Sequence, residues 1–178
     1  MARVGRGFFL LLTGLLVTAA AQAQGRRMGM GRGMHLSAAV GANLPIGDLD
    51  RQAQTGFGIA IRSEMSESSG PWKVRGGIAF DMFSGKGAVD NYQYLSYFTL
   101  DLVHETSKTV YQYGGVGLYQ SKTAVEDEAR SESDFGFQGG VGVNFGKDRK
   151  TFLEFGLVDV ITTGRTSVWF PVKIGIRL

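Results

Sequence analysis

From Met34 to Leu178 apolar and polar residues alternate with a period of two, in stretches of roughly ten residues. No window there repeats apolar residues at i, i+3, i+4 and i+7, so the pattern requires strands and argues against amphipathic helices. Eight segments carry the alternation: Met34–Leu44, Gly56–Met65, Trp72–Phe83, Gln93–His104, Thr109–Gln120, Asp134–Phe145, Thr151–Ile161 and Ser167–Leu178. The last is the clearest, with Val168, Phe170, Val172, Ile174, Ile176 and Leu178 opposing Trp169, Pro171, Lys173, Gly175 and Arg177. In the fifth, Gly114, Gly115 and Gly117 blur the pattern. Turn-rich connections alternate between longer ones (Leu44–Thr55, Ser84–Tyr92, Lys122–Ser133) and shorter ones (Ser66–Pro71, Glu105–Lys108, Gly146–Lys150). Thr162–Thr166 is short but belongs with the longer set by position.

Eight antiparallel strands can close with either face inside. The polar face decides which. It carries Arg62, Glu64, Lys73, Arg75, Asp81, Asp101, Glu154, Lys173 and Arg177, together with much of the glycine. Gly weakens a solvent-facing strand but suits the crowded interior of an eight-stranded barrel. The expected architecture is therefore all-β: an eight-stranded antiparallel up-and-down transmembrane β-barrel, apolar side out, polar side in. A soluble lipocalin-like binder would need the reverse. Segment lengths match the roughly 9–11 residues of a tilted membrane strand. Aromatics near segment ends (Trp72, Tyr94, Tyr111, Tyr113, Phe145, Phe152, Trp169) read as interface girdles.

Pairing each hairpin about the middle of its connection keeps polar face on polar face. It sets Glu64 opposite Lys73, Arg62 opposite Arg75, Arg75 opposite Asp101 and Glu154 beside Lys173. It also turns Gln112 and Val116 inward and Tyr111, Tyr113 and Tyr119 outward. Arg62, Glu64, Lys73, Arg75, Asp101, Glu154, Lys173 and Arg177 then form a structural charge network that plugs the lumen, because buried charges must be paired.

Upstream of the barrel, Arg3 and Arg6 precede the apolar run Phe8–Val17, and Ala21-Gln22-Ala23 fits a small-x-small cleavage site. Residues 1–23 read as a signal peptide, since the run is too short to span a bilayer as a helix. Residues 24–33 read as a Gly/Arg/Met-rich tail and 34–178 as the barrel domain. Cleavage would remove two of 19 basic residues and none of 16 acids, so the net charge would fall from +3 to +1. A nucleic-acid partner is not supported. The chain has no Cys and only two His, which removes disulfides, thiolate sites and His-rich metal sites.

Three stretches resemble the small bacterial outer-membrane barrels of the OmpA/OmpX-like type: Val110–Tyr119 (VYQYGGVGLY), Asp134–Phe145 (DFGFQGGVGVNF) and the ending Val172–Leu178 (VKIGIRL). Asn43–Asp48 (NLPIGD) is similar to the same family. The resemblance implies an integral bacterial outer-membrane protein with both termini in the periplasm and the longer connections outside the cell. It implies outer-membrane lipid, lipopolysaccharide and the barrel assembly machinery as partners, a structural or surface-interaction role, and no enzymatic activity or cofactor. A monomer is expected. Members usually end in an aromatic residue, whereas this chain ends in Leu178.

His35-Leu36-Ser37 puts a base and a hydroxyl on one strand face, in a pattern similar to that of barrels that hydrolyse lipid A acyl chains. Here it opens the first strand on the inward face, where a polar rim pair is the simpler reading. Glu126, Asp127, Glu128 and Glu132 make the third long connection acidic and a candidate contact surface. The spaced ligands of a calcium loop are missing there. A narrow small-solute pore remains the alternative function.

Overall fold

A computed structural model describes residues 34–66, 70–86, 91–125, 128–162 and 165–178. The proposed signal peptide and tail lie outside them. Eight strands run β1 (Met34–Ile46), β2 (Gly56–Ser66), β3 (Trp72–Ser84), β4 (Asn91–Glu105), β5 (Val110–Val125), β6 (Glu128–Phe145), β7 (Thr151–Thr162) and β8 (Arg165–Arg177). Each pairs antiparallel with its sequence neighbours, and β1 closes on β8 from Ser37↔Arg177 to Ile46↔Val168. Closure leaves no sheet edge at membrane depth, which an assembly in hydrocarbon requires. The three short connections and both chain ends of the barrel lie at one end, here the turn end. The other is the loop end.

The outer surface is an apolar band. Val40, Phe57, Val74, Leu100, Leu102, Phe137, Val141, Leu157, Ile174 and Ile176 are all exposed. A continuous band of this kind is tolerated in a bilayer and not in water.

β5 takes the opposite phase to the one the hairpin midpoints suggest. Ser107 Oγ accepts hydrogen bonds from the backbone N–H of Thr109 (3.3 Å) and Val110 (3.0 Å). That turn sets Glu105↔Tyr111 and Asp101↔Gly115. Tyr111 and Tyr119 are therefore buried in the lumen, and Tyr113 turns inward with them, while Gln112 lies on the outer face. Tyr94, Phe152 and Trp169 also point inward and are buried, so of the expected girdle only Trp72 and Phe145 are exposed on the outer face. In β4 the register shifts between Ser96 and Phe98 against β5 and between Ser96 and Thr99 against β3. This bulge adds one residue, puts Tyr97 outside rather than on the lumen face, and brings Ser96, Tyr94 and Tyr92 inside above it.

Lumen glycines answer these rings. A Cβ on Gly142 would collide with the Tyr111 ring, and one on Gly175 with that of Phe152. A Cβ on Gly136 would lie 2.8 Å from Tyr119 Cε2, and one on Gly156 would lie 2.6 Å from Tyr113 Oη. Gly142, Gly175 and Gly136 are each the hole for a ring on the adjacent strand, and Gly156 for the Tyr113 hydroxyl two strands away. Gly142→Ala should destabilise the barrel by about 1–3 kcal/mol through overpacking. Gly114→Ala, whose added carbon meets nothing within 4 Å, should leave stability unchanged. Urea titration of both variants folded into lipid vesicles measures the difference.

Candidate functional site: the lumen and the loop-end sheet

The eight charged residues of the sequence-based network all lie on lumen-facing positions, and the structure places seven of them in three ion-paired groups. At mid-lumen Arg62 donates to Glu154 Oε2. Arg75 bonds Asp101 Oδ2 (2.9 Å) and Glu154 Oε1 (2.6 Å). Tyr111 donates to Glu154 Oε1 (2.8 Å), and the Arg75 guanidinium lies 4.2 Å from the Tyr113 ring centroid. Gln138 donates to Asp101 and accepts from Tyr119 (3.0 Å). Toward the loop end, Lys173 pairs with Asp81 (2.9 Å), to which Asn43 also donates (2.7 Å). At the turn-end rim, Lys73 pairs with Glu64 (3.0 Å) and Glu105 (2.8 Å). Arg177 takes no carboxylate among the described ion pairs. It donates to Asn144 Oδ1 (2.6 Å) and the Arg149 carbonyl (3.2 Å) and lies over the Tyr111 and Phe152 rings.

Backbone register and ion pairing differ. Glu154 is the cross-strand neighbour of Lys173, yet its charge is met by two arginines from β2 and β3 across the lumen. In the β2–β3 hairpin, Glu64 stands opposite Arg75 and Arg62 opposite Gly77, two residues from the expected register. Long side chains in a narrow barrel reach across as readily as along the sheet. Asp81, Asn43, Gln138 and Tyr111 complete the network. Asp81 shares the parity of Lys73 and Arg75, which marks it in the sequence. Tyr111 is hidden there by the phase of β5.

Above the charges the lumen becomes aromatic. Trp169 contacts Tyr94 (4.9 Å between ring centroids), Phe83 (5.7 Å) and Tyr119 (6.3 Å). Val158, Val160 and Tyr92 fill the rest. The first long connection roofs this cluster. Gly47, at φ 64°, turns the chain from β1 into a short helix α1 (Asp48–Gln52), which inserts Leu49, with Ala53 just beyond it. Ala53 bridges Gly85, and Tyr92 donates to Gln52 (2.7 Å). Between charges and aromatics lies a cavity of about 20 Å³, bounded by Arg62, Asp81, Tyr113, Glu154, Val158 and Lys173. That is room for about one water.

The third long connection is mostly strand rather than loop. β5 and β6 continue to Val125↔Glu128, so Lys122–Ser133 is chiefly a paired hairpin, with Glu126 and Asp127 outside the described residues. β4 follows β5 up to Asn91↔Ala124, whereas β7 pairs with β6 only from Phe135 onward. Residues 128–134 of β6 thus pair with β5 alone among the described strands. Glu132 is exposed on this segment, and Asp134 is buried, accepting from Ser121 Oγ (2.6 Å). Glu128 opens the strand.

His35 is exposed at the turn-end rim, and Ser37 Oγ faces the Arg62 carbonyl (3.5 Å) rather than a base. Among the described residues no group of three His, Cys, Asp or Glu is placed to hold a metal.

Glu154→Gln leaves Arg62 and Arg75 facing a neutral amide, and should destabilise the folded barrel by about 3–5 kcal/mol. In double-mutant cycles, Lys173 should couple to Asp81 and much less to Glu154, although Glu154 is its neighbour in the sheet. Equal coupling to both would contradict the pairing described.

Residues 8–165 match the sequence profile of the outer membrane protein beta-barrel domain. A search of curated protein sequences returns no match. Among solved structures, the fold is similar to the attachment invasion locus protein Ail of Yersinia pestis in complex with the heparin analogue sucrose octasulfate. That similarity has a TM-score of 0.56 and 17% identity over 82% of this chain and 99% of that one. Neisserial surface protein A is similar at a TM-score of 0.54 and 13% identity, covering 82% and 96% of the two chains. A major outer membrane protein of Thermus thermophilus reaches 0.52 at 13% identity, covering 82% and 99%. At these identities the structures speak for the fold. With the profile match over most of the sequence, they establish that the chain belongs to the outer-membrane β-barrel protein family.

Proposed function

We propose that this protein is a non-enzymatic, non-conducting barrel whose working part is the raised sheet at its loop end. The observation that carries the reading is the strand edge at residues 128–134, paired on one side only among the described strands. Such an edge offers backbone donors and acceptors to an extended chain. The acidic side chain of Glu132 beside it favours a basic polypeptide over a polyanion. The barrel below serves as a rigid mount: paired charges and the aromatic cluster leave no continuous water path. In this reading both termini are periplasmic and the sheet faces outward. Lipopolysaccharide surrounds the loop end, and the barrel assembly machinery inserts the chain.

The test has two arms. In planar bilayers the protein should show no steady ohmic conductance, and stable channels would instead establish the small-solute pore. A fluorescent alternating lysine–threonine decapeptide should bind the folded barrel saturably and weaken with salt. Deleting 122–125 and 128–131, with 126–127 kept as the connection, should abolish that binding. The heat-dependent gel shift of the folded barrel should survive the deletion. Equal binding to both proteins would overturn the edge as the contact element.

A further inference from the structure

A groove interrupts the apolar band. On its floor Gly114 of β5 pairs with Gly139 of β6, and both are outward positions without side chains. A carbon built on Gly114 meets no other atom within 4 Å. The walls are Trp72, Leu102 and Val141, each about half exposed, and the volume is about 420 Å³. At the turn-end mouth stand His104 and Gln112, with Gln112 Nε2 and His104 Nδ1 at 3.4 Å. Trp72 packs on the His104 ring at 4.4 Å. The groove is thus apolar along its length and polar at one end, near the β4–β5 turn.

We propose that this groove seats one acyl chain of a glycerophospholipid, with the head group hydrogen-bonded by His104 and Gln112. Three features identify the occupant. The groove is continuous with the lipid-facing band formed by Val74, Leu100, Val110 and Val143. Its polar groups stand only at the end that meets the membrane surface, matching an amphiphile with one polar terminus. Its floor is backbone in a closed sheet, so it cannot collapse, and an alkyl chain there gains close contacts that a flat barrel wall does not give. The assignment needs the barrel to lie in a bilayer, which family membership gives. It does not need either end to face outward, nor the strand-edge contact.

Tryptophan supplies the readout. The chain has two, and Trp169 is fully buried in the lumen while Trp72 lines the groove. The folded protein in a maltoside micelle is titrated with dibromostearoyl phosphatidylethanolamine, whose bromines quench tryptophan on contact. Quenching should saturate at one lipid per barrel. Gly114→Leu, at a position where the first side-chain carbon meets nothing within 4 Å, fills the groove and should abolish the saturable quenching. Gln112→Leu should weaken binding but keep the same stoichiometry. The heat-dependent gel shift checks that each variant is folded. Quenching that rises in proportion to lipid mole fraction, identically in wild type and Gly114→Leu, would overturn the proposal. So would a dimer whose Trp72 is never quenched, because a second copy would then cover the groove.

Discussion

The interior of an eight-stranded barrel is only wide enough for side chains, and that limit governs the rest of the molecule. Every inward position must hold either a large group or the hole into which one fits. The high glycine content follows from it. Gly142 receives Tyr111, Gly175 receives Phe152, and Gly136 receives Tyr119. The same limit shapes the electrostatics. Charges desolvated in so narrow a space must be met by partners within reach. Glu154 does this for two arginines at once, with Tyr111 donating to the same carboxylate. Packing and charge are therefore coupled, since Tyr111 needs the hole at Gly142 to reach Glu154.

The outer face is legible in the sequence because lipid selects it simply: apolar at every second residue, strand after strand. Val168 to Leu178 shows this without ambiguity. The inner face is legible only in part. Its charges can be read by parity, and so can the pairs Arg75–Asp101 and Lys73–Glu64, but the partners of Glu154 cannot, because Arg62 and Arg75 reach it across the lumen and not along a ladder. The phase of β5 is lost because Gly114, Gly115 and Gly117 carry no polarity, and because the Ser107 turn moves the register past the midpoint of the connection. The aromatic cluster reads as a girdle for a related reason. A ring near a strand end suits a membrane interface or a lumen equally well, and only parity through the Tyr97 bulge separates the two.

The two ends of the barrel differ in what they are built to resist. The turn end is polar and ends in rim pairs such as Lys73 with Glu64 and Glu105. The loop end is filled by Phe83, Tyr94 and Trp169 beneath α1. A purely charged lumen would admit water at both ends, and water would weaken each ion pair by raising the local dielectric. The aromatic cluster packs against the mid-lumen network from one side and leaves room there for about one water, which limits how far the pairs are weakened.

Rigidity inside has a consequence outside. A wall that packs large residues into glycine holes on its inner face cannot bow inward to fill a dent on its outer face. The dent at Gly114 and Gly139 lies directly behind such packing, where the Tyr113 hydroxyl rests against Gly140 and Gly156. The groove is for this reason a fixed feature of the lipid-facing surface. At the loop end, among the described strands, β6 outruns β7, and residues 128–134 are held extended by their pairing with β5. For the proposed contact, preorganisation of that kind would lower the ordering cost of binding, and it comes from the β5–β6 ladder on a closed barrel.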